Sequence, residues 1–264
     1  MTSEIVERVC TAFAWQRALG NDITRTDLAW LVTNRADPNV WDANHVSQVR
    51  ARTAAEIEKV LASANDALRH CAHRLFVVDP LTPPAFAARL ALEDYRELTP
   101  TLQLVLSGTL RVTPAHVALR PVHSEDDWHC LHGLVQQDHG EGARTHGSVL
   151  SDDVTRGIVA SYRRKAPAYQ FFLAQQEGVD CAYGAGVLCD NGLGMIEDLF
   201  TLPALRRRGI ASAVIAHAVA HLRAHGAAEV LIGAYTTGAP KRLYAALGFA
   251  PVCLTREYIK YERA

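Results

Sequence analysis

The stretch Ile196-Glu-Asp-Leu-Phe-Thr-Leu-Pro-Ala-Leu-Arg-Arg-Arg-Gly-Ile-Ala-Ser212 constrains this chain more than any other. It opens as an apolar strand, passes a short loop and enters a helix. In that helix Ile210, Ala211, Val214, Ile215, Ala218, Val219 and Leu222 recur at helical spacing. At the centre stands Arg206-x-x-Gly209-x-Ala211. Gly209 has no Cβ, so a ligand can approach the backbone closely. Ala211 is small enough for the first helical turn to sit tight on the strand. The N–H groups of that turn have no partners within the helix, and with the helix dipole they favour an anion. A strand, a tight loop and a helix N-terminus carrying Arg206, Arg207 and Arg208 read as a pyrophosphate cradle running from Arg206 to Ser212.

The 264 residues are enough for two domains, and 49% hydrophobic and 21% charged content is ordinary for a globular core. A formal net charge of −1 gives no basic field to recruit nucleic acid or an anionic membrane. No apolar run approaches a membrane span, and the first residues do not resemble a signal peptide. Cys10, Cys71, Cys130, Cys181, Cys189 and Cys253 lie at irregular spacing without a Cys-x-x-Cys. Reduced thiols in a cytoplasmic protein are expected, not a disulfide framework or a zinc site.

Of 17 glycines only Gly20 and Gly108 lie in the first 110 residues. The shift predicts an N-terminal α/β domain over 1–112 and a second domain over 113–264. In the first, Leu28–Thr33 and Asn44–Val49 read as short strands. Thr53 and Glu56 form a capping box for a helix to about His70. Arg74–Val78 is a strand, Pro83-Pro84 opens a helix to about Glu97, and Thr101–Leu106 is a strand.

In the second, His116–Pro121 is a strand and Ser124 caps a helix through about Gln137. A polar loop then runs from Gln137 to His146, and Ser151 starts a helix to about Lys165. Gln170–Ala174 and Ala182–Leu188 are paired strands, and Asn191-Gly192 turns into a strand over Met195–Leu202. After the Ile210–His225 helix, stopped by Gly226, come a strand over Glu229–Ala234, a helix over Pro240–Leu247 and two closing strands, Val252–Leu254 and Tyr258–Lys260.

Arg206-x-x-Gly209-x-Ala211 after an apolar strand resembles the acetyl-coenzyme A motif of the GCN5-related N-acetyltransferase (GNAT) superfamily, and Glu197–Thr201 resembles that family's fourth strand. Arg242-Leu-Tyr-Ala-Ala-Leu-Gly-Phe249 resembles its other signature. The resemblance covers roughly the last 150 residues and implies an α/β protein with a mixed sheet: a GNAT fold preceded by a smaller α/β domain. The strand–helix–strand–helix–strand order of residues 1–110 is also that of half a GNAT domain, yet Val49–Ala54 offers no glycine where the cradle belongs. This part is read as a degenerate half without catalysis; an unrelated α/β packing domain is the alternative.

The resemblance also implies roles. The main chain of Leu199, Phe200 and Thr201 would pair with the pantetheine arm, and Arg206, Arg207, Arg208, Gly209, Ile210, Ala211 and Ser212 would hold the pyrophosphate of acetyl-coenzyme A. Tyr244 would protonate the leaving thiolate, and Glu197 would draw the amine proton through water. Asp198 is expected on the opposite face of the strand from Glu197. Thr237 stands where the family often has Asn. Asp138, His139, Glu141 and Arg144, with Asp198, would meet the acceptor, and His146 lies beside them.

His217, His221 and His225 recur at i, i+4 and i+8, read as a solvated face with no resident metal. The reaction implied is N-acetylation of a primary amine, first of a small molecule. A protein lysine or N-terminus, a larger acyl donor and a non-catalytic acyl-coenzyme A sensor are the alternatives. Neither nucleic acid nor membrane is expected as a partner; a homodimer is left open.

Overall fold

The structure is a computed structural model that describes residues 3–112, 115–146, 151–166 and 168–262, with 142–146 as backbone only. In chain order it runs α1 (Ser3–Ala18), β1 (Asp22–Arg25), β2 (Trp30–Thr33), β3 (His45–Ser47), α2 (Ala54–Ala67), β4 (His73–Val78), α3 (Pro84–Leu92), β5 (Arg96–Glu97), β6 (Thr101–Leu106), β7 (Ala118–Pro121), α4 (Glu125–His146), α5 (Asp152–Lys165), β8 (Tyr169–Gln176), β9 (Val179–Leu188), β10 (Gly194–Thr201), α6 (Ile210–Ala224), β11 (Val230–Tyr235), α7 (Pro240–Leu247) and β12 (Ala250–Tyr261). No helix among the described residues is long and apolar enough to cross a membrane.

The elements fold into two compact units. One comprises Met1–Leu104, Gly233–Arg242 and Pro251–Ala264; the other comprises Val105–Ile232 and Leu243–Ala250. The division expected from the sequence treats each domain as an unbroken run, whereas two late segments here count with the first unit.

In the first unit β1, β2 and β3 form an antiparallel meander. The turn between β1 and β2 is closed by Thr26 Oγ1, which accepts from the N–H groups of Leu28 (3.2 Å) and Ala29 (3.0 Å). β3 pairs with β4 in parallel, so α2 is the crossover between them. The capping box forms as expected: Thr53 Oγ1 accepts from Glu56 N at 3.3 Å, and Glu56 returns a carboxylate oxygen to Thr53 N at 2.9 Å. β4 is buried along its whole length, and Phe76 meets Phe86 and Tyr95 edge-on at 5.3 and 5.4 Å. The helix at Pro84 stops at Leu92, short of the expected end, because Asp94 takes a left-handed φ of +61°. The two expected closing strands are one, β12. Thr255, between them in sequence, is buried and accepts from Gln103 Nε2 at 3.0 Å, while Arg256–Tyr261 pair antiparallel with β4.

In the second unit β7, β8, β9 and β10 are antiparallel neighbours, and β10 adds β11 in parallel. α6 crosses over between β10 and β11 and lies close on the sheet. A Cβ on Gly184 would come within 2.9 Å of Val214 Cγ1, and one on Gly194 within 3.1 Å of Leu222. Ser124 caps α4 through a reciprocal pair: Asp127 N donates to Ser124 Oγ (3.1 Å), and Asp127 Oδ2 accepts from Ser124 N (3.0 Å). The polar stretch expected as a loop from Gln137 to His146 is instead the second half of α4. Its glycines disfavour a helix by about 1 kcal/mol each. The tertiary bonds of Asp138, His139 and Glu141, described below, hold it in place.

Candidate active site

β10 does not run straight through the proposed site. Asp198 has φ +55°, and the register with β9 shifts between Glu197 and Phe200, which defines a β-bulge. The parallel ladder with β11 ends at Ile196↔Ile232, so the main chain of Leu199, Phe200 and Thr201 lies outside it. The Leu199 side chain joins the cluster of Ala182, Ile210 and Val214, and Phe200 tilts against Tyr183 with centroids 5.8 Å apart. Thr201 Oγ1 is buried and has no hydrogen-bond partner among the described residues. A buried hydroxyl without a partner at the end of a bulged strand fits a polar ligand running along it.

The cradle follows. Gly209 is the N-cap of α6 with φ +80°, and no side chain caps that helix. A Cβ at Gly209 would meet Ala115 Cβ at 3.0 Å, so the position requires glycine both for conformation and for space. The first turn, Ile210, Ala211 and Ser212, thus offers backbone N–H groups without a capping oxygen. Arg207, itself at φ +65°, and Arg208 are exposed beside it. Arg206 faces elsewhere. Its Nε donates to Thr201 O at 2.9 Å, its guanidinium forks onto both carboxylate oxygens of Glu141 (Nη1 to Oε1 2.6 Å), and it lies over the Phe200 ring. It braces the loop after β10.

Tyr244 on α7 is 5% exposed. Burial raises its phenol above the usual range, and the Glu197 charge adds to the rise. These two residues therefore share one surrounding. Thr237 is exposed in the turn after β11, where Gly238 N donates to Tyr235 O at 3.0 Å. It belongs to the first unit, while Tyr244 belongs to the second.

A second group of acids gathers around two tyrosines. Tyr162 OH donates to Asp198 Oδ1 at 2.7 Å, and Tyr183 OH donates to Asp138 Oδ2 at 3.1 Å. Burial pushes the Asp138 carboxyl up to about 6; the Glu141 and Asp198 charges add, while Tyr183 and Arg206 oppose. His139 bonds Thr155 Oγ1 at 2.8 Å, and burial lowers its basicity. The structure thus brings Asp138, Glu141 and Asp198 together. The side chains of Arg144 and His146 lie outside the described residues. Glu197 still pairs with Ala185 of β9, and Asp198, just past it, carries the positive φ of the bulge. Sequence reasoning missed Tyr162 and Tyr183. Tyr183 sits in an apolar run with nothing to mark it, and only its register opposite Phe200 places it here.

The histidine row is not a solvated face. His217 and His221 rest edge-on against the buried Phe172 at 4.7 and 5.3 Å, and burial lowers both; His225 alone of the three is exposed. Among the described residues no group of three or more His, Cys, Asp or Glu is placed to hold a metal.

Residues 167–251 match the family model described as acetyltransferase (GNAT) domain. Several solved structures share the fold. A GCN5-related N-acetyltransferase from Kribbella flavida is 16% identical with a TM-score of 0.71, over 98% of this chain and 96% of that one. A functionally unknown conserved protein from Staphylococcus epidermidis is 12% identical with a TM-score of 0.70, over 92% and 95%. A tandem GNAT protein from the clavulanic acid biosynthesis pathway is 12% identical with a TM-score of 0.61, over 92% and 82%. A comparison with curated protein sequences gave no match. The segment holding the bulged strand, Gly209 and Tyr244 thus lies within the stretch that matches a GNAT acetyltransferase domain, and the chain shares its fold with a GCN5-related N-acetyltransferase and with a tandem GNAT protein.

Proposed function

We propose that the protein transfers an acetyl group from acetyl-coenzyme A to a primary amine, first of all that of a small molecule. One observation carries the reading: a bulged strand leads into an uncapped helix N-terminus, and the Glu197 carboxylate on that strand acts on a buried tyrosine. Acetyl-coenzyme A would supply the acyl group as a thioester. The N–H groups of the first turn of α6, with Arg207 and Arg208, bind its pyrophosphate. The main chain of Leu199–Thr201 aligns the arm, with the Leu199 N–H toward the thioester oxygen. Glu197, through water, accepts a proton from the amine, which frees the nitrogen lone pair for attack. Tyr244 gives its proton to the departing sulfur as the carbon–sulfur bond breaks. A phenol whose pKa is raised stays protonated across the neutral range, which suits an acid.

Asp138, Glu141 and Asp198 favour a cationic acceptor, and this supports a small amine over an extended peptide. The test is calorimetric titration with acetyl-coenzyme A, followed by an amine panel read by free-thiol release. Binding with turnover on one amine class supports the proposal. Binding without turnover on any small amine moves the acceptor to a protein or the role to a sensor. No binding rejects the cradle.

A further inference from the structure

The proposed transfer gives work to Arg207 and Arg208 and leaves the Arg206 side chain out. Yet that side chain joins two groups that the transfer does use.

The first is the Thr201 carbonyl. Thr201 stands opposite Ala182 of β9, and the next residue, Leu202, donates from its N–H to Cys181 O at 2.9 Å. Main-chain groups alternate in direction along an antiparallel strand, so the N–H and C=O of Thr201 turn away from β9. They face the side on which the ladder to β11 has already ended, at Ile196↔Ile232. Arg206 Nε donates to that carbonyl at 2.9 Å. The donor arm is assigned to the same strip of main chain.

The second is Glu141 on α4, one of the acids assigned to the acceptor. Both of its carboxylate oxygens accept from the terminal nitrogens of Arg206, Nη1 to Oε1 at 2.6 Å. The guanidinium also lies over the Phe200 ring, 5.8 Å from its centroid. A guanidinium is a rigid planar fork, so its three nitrogens move as one body. The grip on Glu141 therefore holds Nε against Thr201 O. A carbonyl oxygen has two lone pairs, but the guanidinium fills the side from which a strand-like arm would approach. The pair is not deep: the Arg206 side chain is 42% exposed and that of Glu141 26%. Water can take over both groups, so parting them costs little.

We propose that Arg206 is a latch between the donor strip and the acceptor acid: the coenzyme A arm displaces it from Thr201 O, and the guanidinium then releases Glu141 to a cationic acceptor. The proposal rests on the assignment of Leu199–Thr201 to the donor arm. Its coupling is reciprocal. If the bond to Glu141 opposes the arm, the arm opposes that bond to the same extent. Weakening the grip on Glu141 must therefore strengthen donor binding.

The experiment is calorimetric titration of the full-length protein and of Glu141→Gln with two ligands. One is coenzyme A. The other is 3′-phospho-ADP, the half of coenzyme A that carries its phosphates and lacks its arm. Glutamine keeps the length of the side chain and gives up the charge. The expected result is that coenzyme A binds Glu141→Gln about threefold more tightly or better, about 0.7 kcal/mol, while 3′-phospho-ADP does not share the gain. An equal gain for both ligands reports only a negative charge removed from near the phosphates, and overturns the latch. Unchanged or weaker binding of coenzyme A to Glu141→Gln also overturns the latch, and leaves the donor site standing. If neither protein binds coenzyme A, the donor site itself is rejected and the latch with it.

Discussion

Replacing Gly209 by Ala tests the cradle at its narrowest point. Two costs follow from the structure. The residue has φ +80°, where an L side chain costs about 1–2 kcal/mol. The new methyl would also sit 3.0 Å from Ala115 Cβ, inside the roughly 3.5–4.0 Å at which carbons attract. Overpacking of this kind costs about 1–3 kcal/mol, and Ala115 is free of regular structure, so the lower part of that range applies. The sum is about 2–4 kcal/mol. Gly192→Ala is the control: its φ is +81°, but nothing lies within 4 Å of its added Cβ, so only the conformational cost of about 1–2 kcal/mol remains. Urea unfolding of both variants reads the difference, about 1–2 kcal/mol, as the Ala115 contact. Titration with coenzyme A reads the site. Gly209→Ala turns the first N–H groups of α6 and weakens binding by at least about tenfold, or about 1.4 kcal/mol, while Gly192→Ala leaves it unchanged. Equal stability losses in the two variants would refute the steric argument, and undiminished coenzyme A affinity in Gly209→Ala would refute the cradle.

Three further outcomes are expected. Tyr244→Phe keeps the buried ring and lowers turnover by about 10²-fold or more, with coenzyme A affinity held; unchanged turnover removes Tyr244 from the mechanism. The Asp138 carboxyl is raised to about 6, so its protonated form favours the folded state. That stabilisation is complete below the unfolded pKa near 4 and is lost as pH rises through about 6. Asp138→Asn removes this fall, so the stability difference between variant and wild type must change sign or size between pH 4 and 7; a flat difference contradicts the assigned burial. Glu141→Gln breaks an ion pair whose side chains are 26% and 42% exposed and costs under about 1 kcal/mol by chemical denaturation. Arg206→Ala costs more, by about 1–3 kcal/mol, because the Thr201 carbonyl also loses its donor; equal costs would show that this second bond contributes nothing.

What could be read from the chain was local. The strand–loop–helix from Ile196 to Ser212, the capping box at Thr53 and Glu56, and the stop at Gly226 are each written in a few adjacent residues, and each forms. What was missed depends on residues far apart in sequence. Gln137–His146 reads as a loop because of its glycines and polar side chains, and becomes helix because Tyr183, Thr155 and Arg206 hold Asp138, His139 and Glu141. The histidines of α6 look like a water-facing row until Phe172 on β8 is known to lie beneath two of them. Tyr162 gives no sign that it caps the Asp198 carboxylate, since the bond spans two elements and depends on a bulge that alternation does not foresee.

Two stretches of the chain set the same string of elements to different ends. In one, β3, α2, β4 and α3 follow each other with β3 parallel to β4; in the other, β10, α6, β11 and α7 do so with β10 parallel to β11. Each first strand leads to a residue of positive φ, Gln48 at +51° and Asp198 at +55°. The helix entrances then diverge. α6 begins at a glycine with no capping side chain, so its free N–H groups and its dipole are available to an anion. α2 begins at Thr53, whose hydroxyl and whose partner Glu56 occupy the same groups; the Glu56 carboxylate, held low by the N–H groups of Thr53 and Arg52, sits where a phosphate would have to sit. Arg50 is likewise committed, to Gln48 and Asp79. An anion would have to displace a bound carboxylate at α2 and nothing at α6. The entrance of α2 is thus filled by the chain's own side chains, and that of α6 is open.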